Sequence, residues 1–95
     1  MSAALRAYLI DDEPLALRRL ARLLEATGRV EVVGQATDPE VGLAEVAARP
    51  VDVVFLDIHM PGLTGFEGVE RLPAGPLVVF TTAYDRHAVQ AFEVS

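Results

Sequence analysis

Three aspartates follow apolar runs of the sequence and are the first candidates for chemistry. Asp11 and Asp12 follow residues 5–10 (LRAYLI), and Asp57 follows residues 53–56 (VVFL). Carboxylates within a few ångströms of one another repel, so one of them keeps its proton unless a cation lies between them. Oxygen ligands with room for water suit Mg²⁺. A carboxylate beside Mg²⁺ can also act as a nucleophile towards phosphorus and form an acyl phosphate.

Two threonines and a small residue follow a further apolar run. Residues 77–80 (LVVF) lead into Thr81, Thr82 and Ala83. A hydroxyl at this point can donate a hydrogen bond to a phosphoryl oxygen, and the small Ala83 leaves room for the group. These residues would complete a phosphoryl site if the fold brings them beside Asp57.

The elements that must position these residues alternate along the chain. Short apolar and β-branched runs bounded by turn residues predict strands, whereas apolar repeats at helical spacing predict helices. The predicted strands cover residues 5–10, 30–36, 51–56 and 77–81, and the predicted helices cover residues 14–26, 38–49, 64–72 and 84–94. The apolar face of the first helix is Leu17, Leu20, Ala21 and Leu24, and that of the second is Leu43, Val46 and Ala47.

This alternation predicts a doubly wound α/β fold, in which helices cover both faces of a parallel sheet. Right-handed crossovers favour the strand order 2-1-3-4. Strands 1 and 3 are then neighbours, and ligands of such folds bind in the crevice at their carboxyl ends. Asp11, Asp12 and Asp57 are therefore expected to converge on one crevice.

Composition excludes several classes of protein. The 95 residues suffice for one domain with one core, and 52% of them are apolar. The net charge of −6 argues against direct binding of nucleic acid. No apolar run is long enough for a membrane span. Without cysteine, neither a disulfide framework nor a zinc–thiolate site is available, which agrees with a cytoplasmic location.

A purely structural interpretation of the acidic residues has to be kept beside the chemical one. Carboxylates after strands are often solvated loop residues, and Asp12 or Glu13 could simply cap the first helix. Any one aspartate alone fits that explanation. Three of them after apolar strands that are expected to be neighbours fit it poorly.

The sequence resembles a response-regulator receiver domain of bacterial two-component systems, with the flavodoxin-like (CheY-like) fold. Residues 10–14 (IDDEP), 53–65 (VVFLDIHMPGLTG) and 80–85 (FTTAYD) carry the resemblance in order and over almost the whole chain. The amino-acid sequences of these motifs are most similar to those of receivers that precede a LytTR-type (LytR/AlgR-like) DNA-binding domain. The resemblance implies a phosphoacceptor switch that controls an attached output, most often transcription.

The resemblance implies a role for each matching residue. Asp57 would accept the phosphoryl group from a sensor histidine kinase, and Thr82 would be the switch hydroxyl, with Ala83 beside it. Asp12 would ligate Mg²⁺ directly, Asp11 would do so largely through water, and Asp57 would be the third acidic ligand. His59 would contribute only its backbone carbonyl to the metal.

The resemblance also implies structure that this sequence lacks. Receiver domains continue into a fifth strand, which ends in a Lys that pairs with the phosphoryl oxygens, and into a fifth helix, whereas this sequence stops at Ser95. We therefore expect residues 1–95 to be a receiver truncated after its fourth helix, with a DNA-binding output domain beyond. An exposed fourth strand would favour self-association through that strand or the fourth helix.

Two other functions remain open at this point. Aspartate-nucleophile phosphohydrolases of similar topology usually carry a second Asp two residues after the nucleophile, but this sequence has His59 there. An interaction module that switches without phosphorylation would not need the complete acidic cluster. A signalling switch, and not an enzyme, is the preferred interpretation.

Overall fold

The central element is a four-stranded parallel sheet with the order β2-β1-β3-β6. The structure is a computed structural model, and it describes residues 4–57, 59–60 and 63–81. The elements are β1 (Leu5–Ile10), α1 (Pro14–Ala26), β2 (Val30–Ala36), α2 (Pro39–Ala48), β3 (Val53–Leu56), β4 (His59–Met60), β5 (Leu63–Thr64), α3 (Gly65–Arg71) and β6 (Leu77–Phe80). The predicted strand order 2-1-3-4 is thereby confirmed, with β6 as the predicted fourth strand.

The inner strands are buried because helices cover both faces of the sheet. On one face, α1 packs Leu17 against Ala7, Leu9 and Val53, with Leu20, Ala21 and Leu24 around this cluster. On the other face, α2 packs Val46 against Tyr8, Ile10, Val54 and Leu56, and Leu72 and Phe80 lie around that cluster. The sequence therefore yields the predicted doubly wound α/β fold, with α1 and α2 on opposite faces.

One residue was placed wrongly on the apolar face of α2. Ala47 is exposed, and the buried residues of this helix are Gly42, Leu43 and Val46. A Cβ at Gly42 would lie 2.7 Å from Cδ1 of Ile10. Because glycine lets the helix approach the sheet at that point, the buried face turns towards Gly42 and away from Ala47.

The ends of α1 and α2 follow the local signals in the sequence. Gly28 has a φ of +73°, which suits glycine, and it follows the last turn of α1. At the start of α2, Oδ1 of Asp38 accepts a hydrogen bond from the backbone N–H of Glu40 at 2.9 Å, and Pro39 occupies the first helical position.

Other boundaries differ from the prediction by small amounts. β3 begins at Val53 instead of residue 51, and β6 ends at Phe80 instead of residue 81. A two-residue antiparallel pair, β4 with β5, precedes α3 and was not predicted. The predicted fourth helix over residues 84–94 lies outside the described residues, as do Thr82 and Ala83. Within the described ranges, no helix has the length and apolar character needed to cross a membrane.

Candidate metal and phosphoryl site

Three of the candidate residues directly follow the carboxyl ends of three adjacent strands. Asp11 follows β1, Asp57 follows β3 and Thr81 follows β6. The ladder of backbone hydrogen bonds continues into this row, because Asp57 N–H donates to the Ile10 carbonyl at 3.0 Å and Thr81 N–H donates to the Leu56 carbonyl at 3.1 Å. The row is therefore held by the sheet itself and not by a free loop.

Three carboxylates converge at this rim. Asp11, Asp12 and Asp57 each offer an oxygen, and these oxygens lie within 4.8 Å of one another. Asp57 is buried, with 8% of its surface exposed, whereas Asp11 is half-buried and Asp12 is exposed. The predicted convergence of the three aspartates is thus observed.

The surroundings of Asp11 disfavour the charged form of its carboxyl group. Burial raises the pKa of the Asp11 carboxyl above its ordinary value, and the negative charges of Asp57 and Asp12 raise it further. A hydrogen bond from the Glu13 backbone N–H, 2.9 Å from Asp11 Oδ1, acts in the opposite direction and is outweighed. A cation among the three carboxylates would relieve the repulsion.

The structural explanation of these acids as helix caps is not supported. Glu13 occupies the N-cap position of α1, but its side chain makes no capping bond. Asp11, and not Asp12 or Glu13, accepts the N–H before this helix. Asp12 is left with its carboxylate exposed at the rim beside Asp11. The bond to Glu13 N–H fixes the Asp11 side chain. This contact was not predicted, although an Asp whose side chain accepts from the N–H two residues later is typical of such a turn.

The residues beneath the rim fix the ends of β1 and β3. Gly42 lies against Ile10, the residue before Asp11, and a Cβ at Gly68 would lie 3.1 Å from Cδ2 of Leu56, the residue before Asp57. Ile10 and Leu56 are both fully buried. Close packing below the cluster therefore restricts movement of the backbone that carries two of its carboxylates.

Tyr8 ties β1 to α2 from inside the core. Its ring is buried, and its hydroxyl donates to the Glu45 carboxylate of α2. Burial first, and then Glu45, raise the pKa of this hydroxyl. A Cβ at Gly34 would lie 2.6 Å from Cε2 of Tyr8, so the neighbouring strand must carry glycine here. No sequence motif predicted the hydrogen bond between Tyr8 and Glu45.

The remaining predicted site residues are placed only in part. The backbone of His59 lies in β4, two residues after Asp57, and its side chain is outside the described part. Thr82 and Ala83 are also outside it. The hydroxyl of Thr81 is buried and has no hydrogen-bond partner among the residues described. The residue pattern alone predicts no separate role for this threonine.

The donor set suits a hard divalent cation. Three carboxylate oxygens within 4.8 Å, from two adjacent strand ends, provide oxygen ligands only. Mg²⁺ prefers oxygen ligands, takes one or two carboxylates and keeps several waters, and the exposed Asp12 leaves one side open to water. The residues present therefore fit Mg²⁺.

The fold and the acidic rim together define a class of protein before any relative is considered. A doubly wound sheet of order 2-1-3-4 with acids after strands 1 and 3 is the arrangement of receiver-type signalling domains. Two solved structures bear this out. The signal receiver domain of the putative response regulator NarL of Mycobacterium tuberculosis superposes with a TM-score of 0.79 at 32% identity, covering 97% of this chain and 78% of that chain. The response regulatory domain of mrkE of Klebsiella pneumoniae gives 0.76 at 34%, covering 94% and 75%.

The sequence matches the response regulator receiver domain family over residues 7–95, so the chain belongs to that family. Receiver domains serve two-component signalling and are in general switches, not enzymes. The resemblance seen in the sequence is confirmed, including its similarity to regulators of the LytT kind.

Curated relatives place this match within longer proteins. An uncharacterized response regulatory protein of Vibrio parahaemolyticus is 52% identical over 91 residues, which cover 94% of this chain and 38% of that protein. The sensory transduction protein LytT of Bacillus anthracis is 43% identical, covering 95% and 38%. The transcriptional regulatory protein BtsR of Escherichia coli is 38% identical, covering 94% and 38%. The chain thus spans about 38% of the length of these relatives.

Proposed function

We propose that this chain is a phosphoacceptor switch that takes a phosphoryl group on Asp57 in a Mg²⁺-dependent reaction. The observation that carries the proposal is the convergence of the Asp11, Asp12 and Asp57 carboxylates within 4.8 Å at the carboxyl ends of β1 and β3. The family makes a phosphorylated sensor histidine kinase the proposed donor.

The residues divide the work of the transfer. A carboxylate oxygen of Asp57 attacks phosphorus and forms a new P–O bond, while the P–N bond of the donor phosphohistidine breaks and its electron pair returns to the imidazole. Asp12 would hold Mg²⁺ directly and Asp11 largely through water, and Asp57 and the backbone carbonyl of His59 would be the other protein ligands. The bound ion would offset negative charge on the transferring group.

The remaining site roles are part of the same proposal. The hydroxyl of Thr82 would close on the phosphoryl group after transfer, and Ala83 would leave space for it. This movement would shift the segment after β6 between two arrangements and so alter association with partners. Supporting this proposal is the position of β6 next to β3, with Thr81, the residue after β6, at the same rim as Asp57.

The output is proposed to lie in another part of a longer cytoplasmic regulator. The chain spans about 38% of relatives that include a sensory transduction protein and a transcriptional regulatory protein. We infer that residues 1–95 belong to the receiver, and that a DNA-binding domain elsewhere in the gene product acts on transcription. The self-association expected through β6 or the following helix stays a prediction; β6 lies at one edge of the described sheet, and Leu77 and Val79 are exposed.

The test is phosphorylation of the complete gene product. Acetyl phosphate and Mg²⁺ should add one phosphoryl group, detected by intact mass, and peptide mapping should place it on Asp57. A chelator should prevent the reaction. Modification at another residue, or none in the presence of Mg²⁺, would overturn the proposal.

A further inference from the structure

Thr81 lies in the same cross-strand row as two of the acidic residues. Ile10, Leu56 and Phe80 are register partners on β1, β3 and β6. The next residues are Asp11, Asp57 and Thr81, and the last two donate their N–H groups to the carbonyls of Ile10 and Leu56. Adjacent strands are about 4.8 Å apart, so Thr81 and Asp57 are immediate neighbours across the sheet.

Alternation along the strands puts the side chains of this row on one face. Ile10 and Leu56 belong to the core cluster on the α2 face, and Phe80 packs against it. Side chains alternate between faces along a strand, so those of the next residues, Asp11, Asp57 and Thr81, are expected on the opposite face. The threonine hydroxyl is therefore expected on the same side of the sheet as the Asp57 carboxylate.

The hydroxyl of Thr81 forms no hydrogen bond within the described structure. It is buried and has no hydrogen-bond partner among these residues. A buried hydroxyl without a partner costs free energy and usually marks a site where a group or a water is bound at some stage. A valine of the same shape would pack equally well without that cost.

We propose that the Thr81 hydroxyl is a phosphoryl-binding group of this switch. It donates a hydrogen bond to an oxygen of the phosphoryl group on Asp57 and takes no part in bond making or breaking. The inference rests on the proposed function and deepens it, because it adds a hydroxyl on the neighbouring strand to the role proposed for Thr82.

The experiment compares variants of the complete gene product during phosphorylation by acetyl phosphate. Thr81→Val removes the hydroxyl and keeps the shape, whereas Thr81→Ser keeps the hydroxyl. Hydrogen bonds to charged groups predict a loss of roughly tenfold to a hundredfold in the phosphorylation rate of Thr81→Val, and near-normal rates in Thr81→Ser. The affinity of beryllium trifluoride, a mimic of the phosphoryl group, should fall by a similar factor.

A merely structural role would leave a different signature. Because the hydroxyl has no hydrogen-bond partner among the described residues, Thr81→Val should retain its affinity for Mg²⁺ and melt at the same temperature or higher. Thr37→Val is the matched control, since Thr37 follows β2 at the same rim, on the far side of β1 from Asp57, and is exposed. It should phosphorylate normally. If Thr81→Val fails to fold, Thr81→Ala against Thr81→Ser makes the same comparison.

The outcomes distinguish the proposed role of Thr81 from the proposed phosphorylation of Asp57. Equal phosphorylation and beryllofluoride binding in Thr81→Val and the wild type would overturn the role of Thr81 and leave Asp57 as phosphoacceptor. So would an equal loss in Thr81→Ser or in Thr37→Val. A wild-type protein that takes no phosphoryl group with Mg²⁺ would overturn the proposed function itself.

Discussion

Two aspartates lie at opposite ends of the same strand, β3, and their surroundings differ. Asp52 precedes the strand and is exposed; its Oδ2 accepts a hydrogen bond from the Arg6 backbone N–H at 2.8 Å. Its backbone N–H donates to the Arg6 carbonyl, also at 2.8 Å. Asp57 follows the strand, is buried, and shares its rim with the carboxylates of Asp11 and Asp12.

The difference arises from the direction of the strands. At the amino-terminal end of β3, the Asp52 side chain accepts a hydrogen bond from the backbone N–H of the neighbouring strand at Arg6. At the carboxyl-terminal end, side chains that follow each strand meet at one rim. Acids at that rim repel one another unless a cation is present. The first aspartate is explained by structure alone, whereas the second lies in an acidic cluster whose oxygens suit a cation.

The largest expected contrast is in phosphorylation. Asp57→Asn should abolish incorporation of a phosphoryl group from acetyl phosphate, because the amide cannot act as the nucleophile. Asp52→Asn makes the same change of charge at the other end of β3 and should phosphorylate like the wild type. Intact mass after incubation with Mg²⁺ measures both. Equal loss in the two variants would show that the two ends of the strand do not differ as argued.

The next contrast is in the affinity for Mg²⁺. Asp12→Asn removes a proposed direct ligand and should weaken binding at least roughly tenfold. Glu13→Gln is the matched control, since Glu13 is the adjacent exposed acid and its side chain makes no capping bond. Titration calorimetry on the unphosphorylated protein gives both affinities. If the two variants bind Mg²⁺ equally, Asp12 is not a ligand.

The fold and the acidic cluster were accessible from sequence because they depend on coarse features. Strand order follows from alternation and handedness, and neighbouring strand ends then bring Asp11 and Asp57 together. An error of one or two residues in a strand end, as at Val53, leaves that conclusion unchanged.

Details set by single contacts were not accessible. The hydropathy of α2 does not show that Gly42 would turn the helix, so Ala47 was wrongly assigned to the core. The side-chain direction of Thr81 depends on knowing the register of β6 to one residue, and alternation reverses if it shifts. The β4–β5 pair has two residues on each side, too few for any periodic signal.

A smaller contrast concerns stability without metal. Asp11→Asn keeps an oxygen acceptor for Glu13 N–H but removes a charge whose carboxyl pKa is raised in the fold. In chelator at neutral pH it should raise the free energy of unfolding by about 1 kcal/mol, the scale of one like-charge contact at 4 Å in water. Chemical denaturation measures the difference.

The pH dependence of that gain follows from the sign of the shift. Since the folded pKa of Asp11 lies above the unfolded one, the folded wild type binds more protons between the two values and gains stability as pH falls through this window. The advantage of Asp11→Asn is therefore full above the folded pKa and disappears towards the ordinary value. A gain that grew as the pH fell would contradict the repulsion at this rim.

The smallest contrast tests the amino-terminal end alone. Asp52→Ala removes the acceptor of the Arg6 N–H and should lower the free energy of unfolding by about 0.5–1 kcal/mol, because the exposed N–H can bond to water instead. Asp52→Asn keeps an acceptor oxygen and should lose less. Both should bind Mg²⁺ and accept a phosphoryl group like the wild type. Reduced Mg²⁺ affinity in Asp52→Ala would mean that Asp52 supports the acidic cluster at the other end of β3. The two ends of the strand would then not have separate structural and chemical roles.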